Sequence, residues 1–347
     1  MFTDKRALLG VILGILVIIL AGIEIGILEK SPRSLYILEG PSNGQSKTAV
    51  VPVPEQHSHV ENLPAITDPP KAIVPTIAFL IPARSIDGWT IQDIPLLNIF
   101  LPSLLGTITP DEFRDFNYVI YFGCDTGDPL YDNDETVAKL HDIVEKMSEI
   151  RLLMFSFGNT QGKPVLVWNR LFSEAFQDGC HYFYQVNDDV RFITSGWTRS
   201  FVNTLRGNPV FPDLGVTGPR DLGAQILTQA FVSRIHMHIF SSFYPSLFDN
   251  WYSDDWLTHV YDDIGSTFGS QSVLVKNDNS QGTRYKVDHS GRDSLDILER
   301  NGKAVIREFL DTHVAGPTIY SDPVHKEARR NLFKRSHTPG DAVNVNK

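Results

Sequence analysis

Cysteine is scarce in this chain, with Cys124 and Cys180 the two thiols among 347 residues. Two cysteines cannot form the disulfide framework that stabilises many small secreted domains. A single bridge between them and separate burial beside predicted strands are the alternatives that the sequence leaves open. A chain of this length can bury a sizeable hydrophobic core, so we expect that core to stabilise the fold.

Positive charge is also in deficit. Lys and Arg number 31 against 41 Asp and Glu, which gives a net charge of −10. Proteins that bind nucleic acid use clustered Lys and Arg to contact phosphates, so this balance argues against nucleic acid as the main partner. A basic cluster does occur over residues 326–335. We interpret residues 326–347 as a basic, disordered tail.

One long apolar stretch covers residues 7–27, interrupted by Glu24 and a few glycines. As a helix it is long enough to cross a bilayer. Lys5 and Arg6 precede it, so the positive-inside rule predicts a cytoplasmic tail over residues 1–6 and a luminal remainder. The alternative is a cleaved signal peptide, which the length of the apolar core and the lack of an obvious cleavage site disfavour. We therefore predict a type II signal anchor.

A polar segment follows the predicted anchor. Residues 28–74 are rich in Pro, Ser, Asn, Gln and Gly and show no helical or strand periodicity. This composition is typical of a flexible stem. The character changes at about residue 75, where an apolar strand pattern begins. We predict the catalytic domain over residues 75–325.

Strand and helix patterns alternate after this boundary. Strands are predicted over residues 76–82, 118–122 and 151–157 and from Tyr182, with helices from about residue 134 and over residues 164–177. This order predicts an α/β fold whose central sheet is mixed, mostly parallel and flanked by helices. Ligands of such folds bind at the carboxyl ends of the strands.

The strand that begins at Tyr182 leads directly into Asn187, Asp188 and Asp189. Carboxylate oxygens at a strand end are the hard ligands that Mg²⁺ and Mn²⁺ prefer, and these ions are commonly shared with substrate phosphates. The pattern points to a nucleoside-diphosphate substrate. A simple polar turn after a strand is the alternative.

Several motifs occur together in a recognisable order. A strand ends at Pro82, a second ends at Asp125, Gly162-x6-Asn169 follows, Ala175 is a small residue on the same helix, and Asn187-Asp188-Asp189 ends the series. Over about residues 75 to 265 the chain resembles the A-type nucleotide-diphospho-sugar glycosyltransferases, in particular the inverting family 2. The resemblance implies a GT-A type fold preceded by one transmembrane helix.

The resemblance also implies roles for individual residues at the donor site. Asp189 would hold Mn²⁺ or Mg²⁺ with Asp188 as support, and Asn187 replaces the first acid of the family's Asp-x-Asp motif. Asp125 would contact the nucleobase or ribose. Asn169 matches a family Asn and would face the nucleotide, with a helix-surface amide as the alternative. Independently of the resemblance, Arg84 and Lys163 are cations that suit the diphosphate or base, with surface solvation as the alternative. A late histidine sometimes completes the metal site, and His289 is the candidate, with His313 behind it.

A second acidic pair, Asp254-Asp255, lies among aromatic residues. An inverting transfer needs a carboxylate that takes the proton of the acceptor hydroxyl. Asp255 matches the family's base at the start of a helix, with Asp254 beside it. The alternative is that Ser253 or Asp254 caps a helix that begins at Trp256.

These expectations describe a membrane-anchored, metal-dependent hexosyltransferase whose catalytic domain faces the lumen of the Golgi or endoplasmic reticulum. Its partners would be a nucleotide-sugar donor and a glycan, glycoprotein or glycolipid acceptor. One alternative is a membrane-tethered protein of the same fold that binds a nucleotide sugar or a glycan without turnover. A metal-dependent phosphohydrolase is a weaker third reading, because no further Asp/His cluster for a two-metal site is apparent.

Overall fold

The computed structural model describes residues 74–221, 226–278, 282 and 284–314. The predicted cytoplasmic tail, the anchor, most of the stem and the basic tail lie outside these residues. Within the described ranges, no helix is both long and apolar enough to cross a membrane.

One eight-stranded sheet organises the described part of the chain, in the order β3-β2-β1-β4-β7-β6-β8-β5. The strands are β1 Thr76–Ala83, β2 Asn117–Asp125, β3 Arg151–Phe157, β4 Tyr182–Gln185, β5 Val190–Phe192, β6 Val216–Asp221, β7 Ala230–Ser233 and β8 Thr267–Asn277. Strands β3, β2, β1 and β4 are parallel, as is the pair β6 and β8. The pairs β4–β7, β6–β7 and β5–β8 are antiparallel. The predicted mixed α/β sheet is confirmed, and its parallel half contains the strands that the sequence patterns identified.

Helices connect and cover these strands. They are α1 Leu101–Leu105, α2 Pro110–Asp115, α3 Asp134–Met147, α4 Pro164–Gln177, α5 Trp197–Arg206, α6 Arg234–Phe240, α7 Ser253–Asp262 and α8 Arg292–His313. A 3-10 turn over Ile91–Asp93 and a π-helical turn over Leu96–Phe100 precede α1. The two predicted helices form as expected. Asn133 caps α3 by accepting a hydrogen bond from the Thr136 amide at 3.1 Å, and Pro164 occupies the first turn of α4.

Two hydrophobic cores lie on the opposite faces of the sheet. Because successive side chains of a strand point to opposite faces, Ile77, Phe79 and Ile81 enter one core while Ala78 and Leu80 enter the other. All five are fully buried. A sheet covered on both faces explains why its central strands read as continuous apolar runs.

The two cysteines are buried in different cores and neither forms a disulfide. Cys124 lies in β2, next to its last residue, and belongs to the first core, whereas Cys180 precedes β4 and belongs to the second. The sheet therefore separates the two thiols, and of the two alternatives left open by the sequence, separate burial is the one observed.

Helix α4 packs closely against β2 at Gly123. A Cβ atom at this position would lie 2.7 Å from Cγ1 of Val167, which is closer than van der Waals contact permits. Glycine thus allows the helix to approach the strand. This approach brings the amino end of α4, with Gly162 and Lys163 before it, next to the carboxyl ends of β1 and β2.

Candidate functional site

A cavity of about 340 Å³ opens at the carboxyl ends of β1 and β2. Five of the side chains that the sequence analysis selected line it: Arg84, Asp125, Lys163, Asn187 and Asp189. They come from the end of β1, the end of β2, the start of α4 and the turn between β4 and β5. Parallel strands bring their carboxyl ends to the same sheet edge, which is why residues so distant in sequence converge here.

Asp125 is fixed by a neighbour from the next loop. The Thr160 hydroxyl lies 2.5 Å from Oδ1 of Asp125, and Thr160 is almost fully buried. The hydrogen bond orients the carboxylate at the cavity wall. An oriented carboxylate can accept hydrogen bonds from ribose hydroxyls or from a base N–H.

Three cationic side chains line the same cavity: Arg84, Lys163 and Arg284. Lys163 pairs with Asp249, with 3.0 Å between Nζ and Oδ1. Arg84 is exposed, and in the described part of the chain no ion pair is found for its guanidinium group. Such a group is suited to anionic ligands.

Asp188 is not among the described residues that line the cavity, and its role as a supporting metal ligand stays a prediction. The residue is fully buried, and both of its carboxylate oxygens accept hydrogen bonds from the Arg284 guanidinium. One of these bonds, from Nη1 to Oδ2, is 2.7 Å long. Burial alone would lower the pKa of Arg284, but the hydrogen bonds and charge of Asp188 raise it overall. Arg284 is therefore a permanent cation at this site.

Asp189 lies at the cavity, and its Oδ2 is 3.7 Å from Nη2 of Arg284. Burial, followed by the charge of Asp188, raises the pKa of Asp189 to about 6. No group of three His, Cys, Asp or Glu side chains placed to hold a metal ion occurs among the residues described.

The two late histidines are not among the cavity-lining residues. The Nδ1 atom of His289 lies 3.0 Å from the Tyr252 hydroxyl, and its ring is 4.9 Å from the Trp251 ring. His313 ends α8, where its Nδ1 bonds the carbonyl oxygen of Phe309 at 2.8 Å. Both make local contacts, and a role of either as metal ligand stays a prediction.

Asn169 is not among the described residues that line the cavity, and its expected contact with the donor stays a prediction. Its Nδ2 donates to the Tyr244 carbonyl oxygen at 2.9 Å, and its Oδ1 accepts from the Tyr244 amide at 2.8 Å. The side chain thus satisfies both backbone polar groups of Tyr244, as a strand partner would. It joins α4 to the segment that leads into α7.

The second acidic pair lies in the first turn of α7, which begins at Ser253, three residues before the expected start. Tyr252 occupies the position before the helix with a φ of 71°, a left-handed conformation that is uncommon for a bulky residue. The expectation that Ser253 or Asp254 caps the helix is therefore wrong. A helix amino end favours negative charge, and both carboxylates benefit from it.

Asp254 and Asp255 differ in their surroundings. The Tyr244 hydroxyl donates to Oδ1 of Asp254 at 3.3 Å. Desolvation by the surrounding protein raises the pKa of Asp254 to about 7, with a further contribution from the charge of Asp255 and an opposing one from the Tyr244 hydrogen bond. A carboxyl group with such a pKa can take up a proton near neutral pH.

Tyr285 also lines the cavity. Burial, followed by the charges of Asp254 and Asp189, raises the pKa of Tyr285. Asp254 and Asp255 are not among the described residues that line the cavity.

No protein-family model matches the sequence, and no curated protein sequence matches it. Solved structures do align with the chain. TarS from S. aureus aligns with a TM-score of 0.41 at 11% identity, over 70% of this chain and 44% of TarS. The chain thus spans less than half the length of TarS.

Two further structures align over nearly their whole length. A protein proposed to be a glucose-1-phosphate thymidylyltransferase from Bacillus anthracis gives a TM-score of 0.40 at 9% identity, over 66% of this chain and 95% of that one. A protein proposed to be a nucleotide-diphospho-sugar transferase from Desulfovibrio desulfuricans G20 gives 0.35 at 12% identity, over 67% and 97%. Each TM-score lies below 0.5, so these similarities carry no conclusion about function.

Sequence reasoning missed three side chains of this region: Thr160, Arg284 and Tyr285. Arg284 lies 96 residues after Asp188, in a polar stretch without periodicity, so no local pattern marks it. A signal was nevertheless present in the acids themselves. Two adjacent carboxylates that follow a buried strand require a counter-charge, and a basic residue later in the chain is one source of it.

Proposed function

We propose that this protein transfers a sugar from a nucleotide-diphosphate donor to an acceptor hydroxyl, with the donor bound in the cavity at the ends of β1 and β2. The observation that carries the proposal is the convergence of Arg84, Asp125, Lys163, Asn187 and Asp189 on one cavity. Cations for a diphosphate and polar groups for a nucleoside occur there together.

The cavity walls suit the two parts of such a donor. Asp125, oriented by Thr160, would accept hydrogen bonds from the nucleoside, while the side-chain amide of Asn187 can bond a ribose hydroxyl. Arg84 and Lys163 would contact the diphosphate. Apolar side chains such as Val167 complete the wall and can pack against the base.

The acidic pair of α7 supplies the base for an inverting displacement. The acceptor hydroxyl would give its proton to a carboxylate while its oxygen forms a bond to the anomeric carbon. The bond from that carbon to the phosphate oxygen breaks, and the nucleoside diphosphate leaves with the electron pair. Asp254 is the stronger candidate of the pair, because the Tyr244 hydroxyl orients it and burial raises its pKa to about 7. Asp255 beside it is the alternative base.

Dependence on Mn²⁺ or Mg²⁺ stays a prediction. Asp189 is the cavity carboxylate that would hold the ion, which would neutralise charge on the leaving diphosphate. Because Arg284 occupies both oxygens of Asp188 and approaches Asp189, the described side chains do not fit this ion well. Binding with and without a chelator tests the point.

Anchoring in the Golgi or endoplasmic reticulum membrane is a proposal that rests on the sequence of residues 1–27. The same holds for the luminal orientation and for a glycan, glycoprotein or glycolipid acceptor. Protection of the carboxyl-terminal part from protease in sealed microsomes would support the orientation, and digestion there would contradict it.

Thermal unfolding of the full chain, purified in detergent, tests the donor proposal. UDP, GDP, CDP and dTDP and their sugar conjugates would be added singly, each with Mn²⁺ and with EDTA. A ligand that binds the folded state at a hundred times its Kd stabilises it by about 2.7 kcal/mol, so we expect one nucleoside to raise the Tm clearly. Asp125→Asn should weaken this shift, whereas Asp142→Asn, on the exposed face of α3, should not. Absence of any shift with every nucleotide would contradict the proposal.

Turnover separates transfer from the alternatives. An enzyme consumes the donor sugar when an acceptor is present and releases the nucleoside diphosphate. A protein that binds without catalysis, the reading favoured by Asn187 and by the arginine-bound Asp188, would give the same Tm shift and no product. Consumption without an acceptor would indicate a hydrolase.

A further inference from the structure

We propose that the Arg284 guanidinium, held by Asp188, is the cation that receives the donor diphosphate, and that the donor binds without a divalent ion at Asp188 and Asp189. The inference deepens the proposed function and rests on it. It assigns to a side chain of this protein the positive charge that an ion would otherwise supply.

The first step is the fixed position of Arg284. Both oxygens of Asp188 accept from its guanidinium, and Nη1 also lies 3.3 Å from the carbonyl oxygen of Arg84. The guanidinium stands 5.8 Å from the centre of the Trp89 ring. Its side chain is 12% exposed, and that of Asp188 is not exposed at all. Contacts on several sides hold the charge in one place, which is the preorganisation that anion binding requires.

The second step is that this arrangement excludes an ion from the same carboxylates. Asp188 has no solvent-exposed surface, and both of its oxygens are already paired. A divalent cation on Asp189 would approach the guanidinium, which lies 3.7 Å from Oδ2 of that residue. Like charges at such a distance in a partly buried site repel strongly. Arg284 therefore occupies the electrostatic position of the ion.

The third step is that Arg284 has donors left for a ligand. A guanidinium carries five N–H groups, of which Asp188 engages two and the Arg84 carbonyl a third. The side chain lines the cavity, as does the exposed guanidinium of Arg84. Arginine binds phosphate oxygens through paired hydrogen bonds, so the two side chains together suit the two phosphates of a nucleoside diphosphate.

The test measures the Kd of UDP, GDP, CDP and dTDP for the full chain by calorimetry, in EDTA and in Mn²⁺. For the nucleotide that binds, we expect the Kd in EDTA to stay within about threefold of the Kd in Mn²⁺, since the fixed cation is covalently part of the protein. Arg284→Lys keeps one charge but loses the paired hydrogen bonds, so we expect affinity to fall roughly tenfold or more in both buffers. Arg199→Lys, at the exposed pair with Asp115, is the matched control and should bind as the parent does.

A second variant separates binding from folding. Arg284→Lys loses the paired hydrogen bonds to the buried Asp188 carboxylate, and loss of these bonds could unfold the variant. The double variant Arg284→Met/Asp188→Asn removes both charges. We expect it to have the secondary structure of the parent by circular dichroism and to bind nucleotide weakly. Parental affinity in this variant would overturn the proposal and leave the pair a purely structural one.

The remaining outcomes distinguish this inference from the proposed function. Binding that disappears in EDTA and returns with Mn²⁺, with Arg284→Lys unchanged in affinity, would overturn the role of Arg284 while the donor site stands. If none of the four nucleotides binds in either buffer, both the inference and the donor site are overturned.

Discussion

Asp254 and Asp255 are neighbours in one helical turn and yet have different chemical environments. Tyr244 donates to Asp254, and the protein around Asp254 raises its pKa to about 7. A group that must accept a proton during catalysis works best when its pKa is close to the working pH. The surroundings of Asp254 therefore favour it as the proposed base, whereas the sequence pattern favoured Asp255.

Substitution distinguishes the two acids. We expect Asp254→Asn to lower kcat by about 10² to 10⁴, the usual contribution of a general base, with little change in nucleoside-diphosphate affinity. Asp255→Asn should retain most of the activity. Steady-state kinetics at saturating donor and acceptor measures both. The reverse ranking would assign the base to Asp255.

The Tyr244 hydroxyl modifies the pKa of Asp254 and thus the pH range in which the proposed base would be ionised. Its hydrogen bond stabilises the charged carboxylate and so lowers a pKa that burial has raised. In Tyr244→Phe this pKa should rise further. The base must be ionised, so activity is present above the pKa and is lost as the pH falls through it, and the acidic limb should move to higher pH. Besides burial, the groups that act on the pKa of Asp254 are Tyr244, Asp255 and Ser253. An unchanged kcat–pH profile in Tyr244→Phe would remove Tyr244 from this role.

At the level of secondary structure, Asn169 joins two elements that build the site. Helix α4 contributes to the cavity wall, and the segment containing Tyr244 leads into α7. The Asn169 side chain forms hydrogen bonds with both backbone groups of Tyr244, and these bonds hold the helix and the segment in a defined relative position. Orientation of Asp254 by Tyr244 depends on this link.

Loss of the link should affect stability and turnover more than donor binding. Asn169→Ala leaves the Tyr244 amide and carbonyl without these partners, which we expect to lower the free energy of unfolding by about 1 to 3 kcal/mol. Urea denaturation measures this change, and kcat should fall because Tyr244 is less well placed. Asn98→Ala, at an exposed asparagine within the π-helical turn, is the control. A variant with parental stability and weakened nucleotide binding would restore the predicted role of Asn169 at the donor.

The bounds of α4 could be predicted from the sequence, whereas the direction of the Asn169 side chain on that helix could not. The bounds of α4 follow from local chemistry, with Pro164 in the first turn and the left-handed Gly179 after the end. The direction of the Asn169 side chain depends on Tyr244, 75 residues later. Local sequence patterns predict helices and strands. Residues distant in sequence determine whether a polar side chain points into a cavity or bonds a backbone group.

The start of α7 and the partner of Asp188 could not be predicted from the sequence for the same reason. No propensity predicts a tyrosine with a φ of 71°, because that conformation is held by the surrounding structure. Arg284 reaches Asp188 from a segment without a helical or strand pattern. The position of the cavity could be predicted from the ends of the strands. The pairing of charged side chains at the cavity could be seen only in the three-dimensional structure.

On the scale of the whole molecule, the sheet divides the interior into two cores, and the two cysteines belong to different ones. This arrangement has consequences in the oxidising lumen to which the predicted anchor would direct the domain, since exposed thiols there form disulfides. Burial, followed by the charge of Asp128, raises the pKa of Cys124 to about 12, and burial also raises that of Cys180. Both thiols are thus protonated at neutral pH as well as inaccessible.

We therefore expect the folded protein to behave as a dithiol whose stability does not depend on reductant. Its Tm should be the same with and without dithiothreitol, because no bridge exists to be reduced. Ellman's reagent should not react with the folded chain, since only an accessible thiolate attacks it, and should titrate both cysteines once guanidinium unfolds the protein. Mass spectrometry after alkylation without prior reduction locates the labels. A lower Tm in dithiothreitol, or two cysteines that stay unlabelled after unfolding, would indicate a disulfide between Cys124 and Cys180. Such a bond would contradict the burial of the two thiols in cores on opposite faces of the sheet.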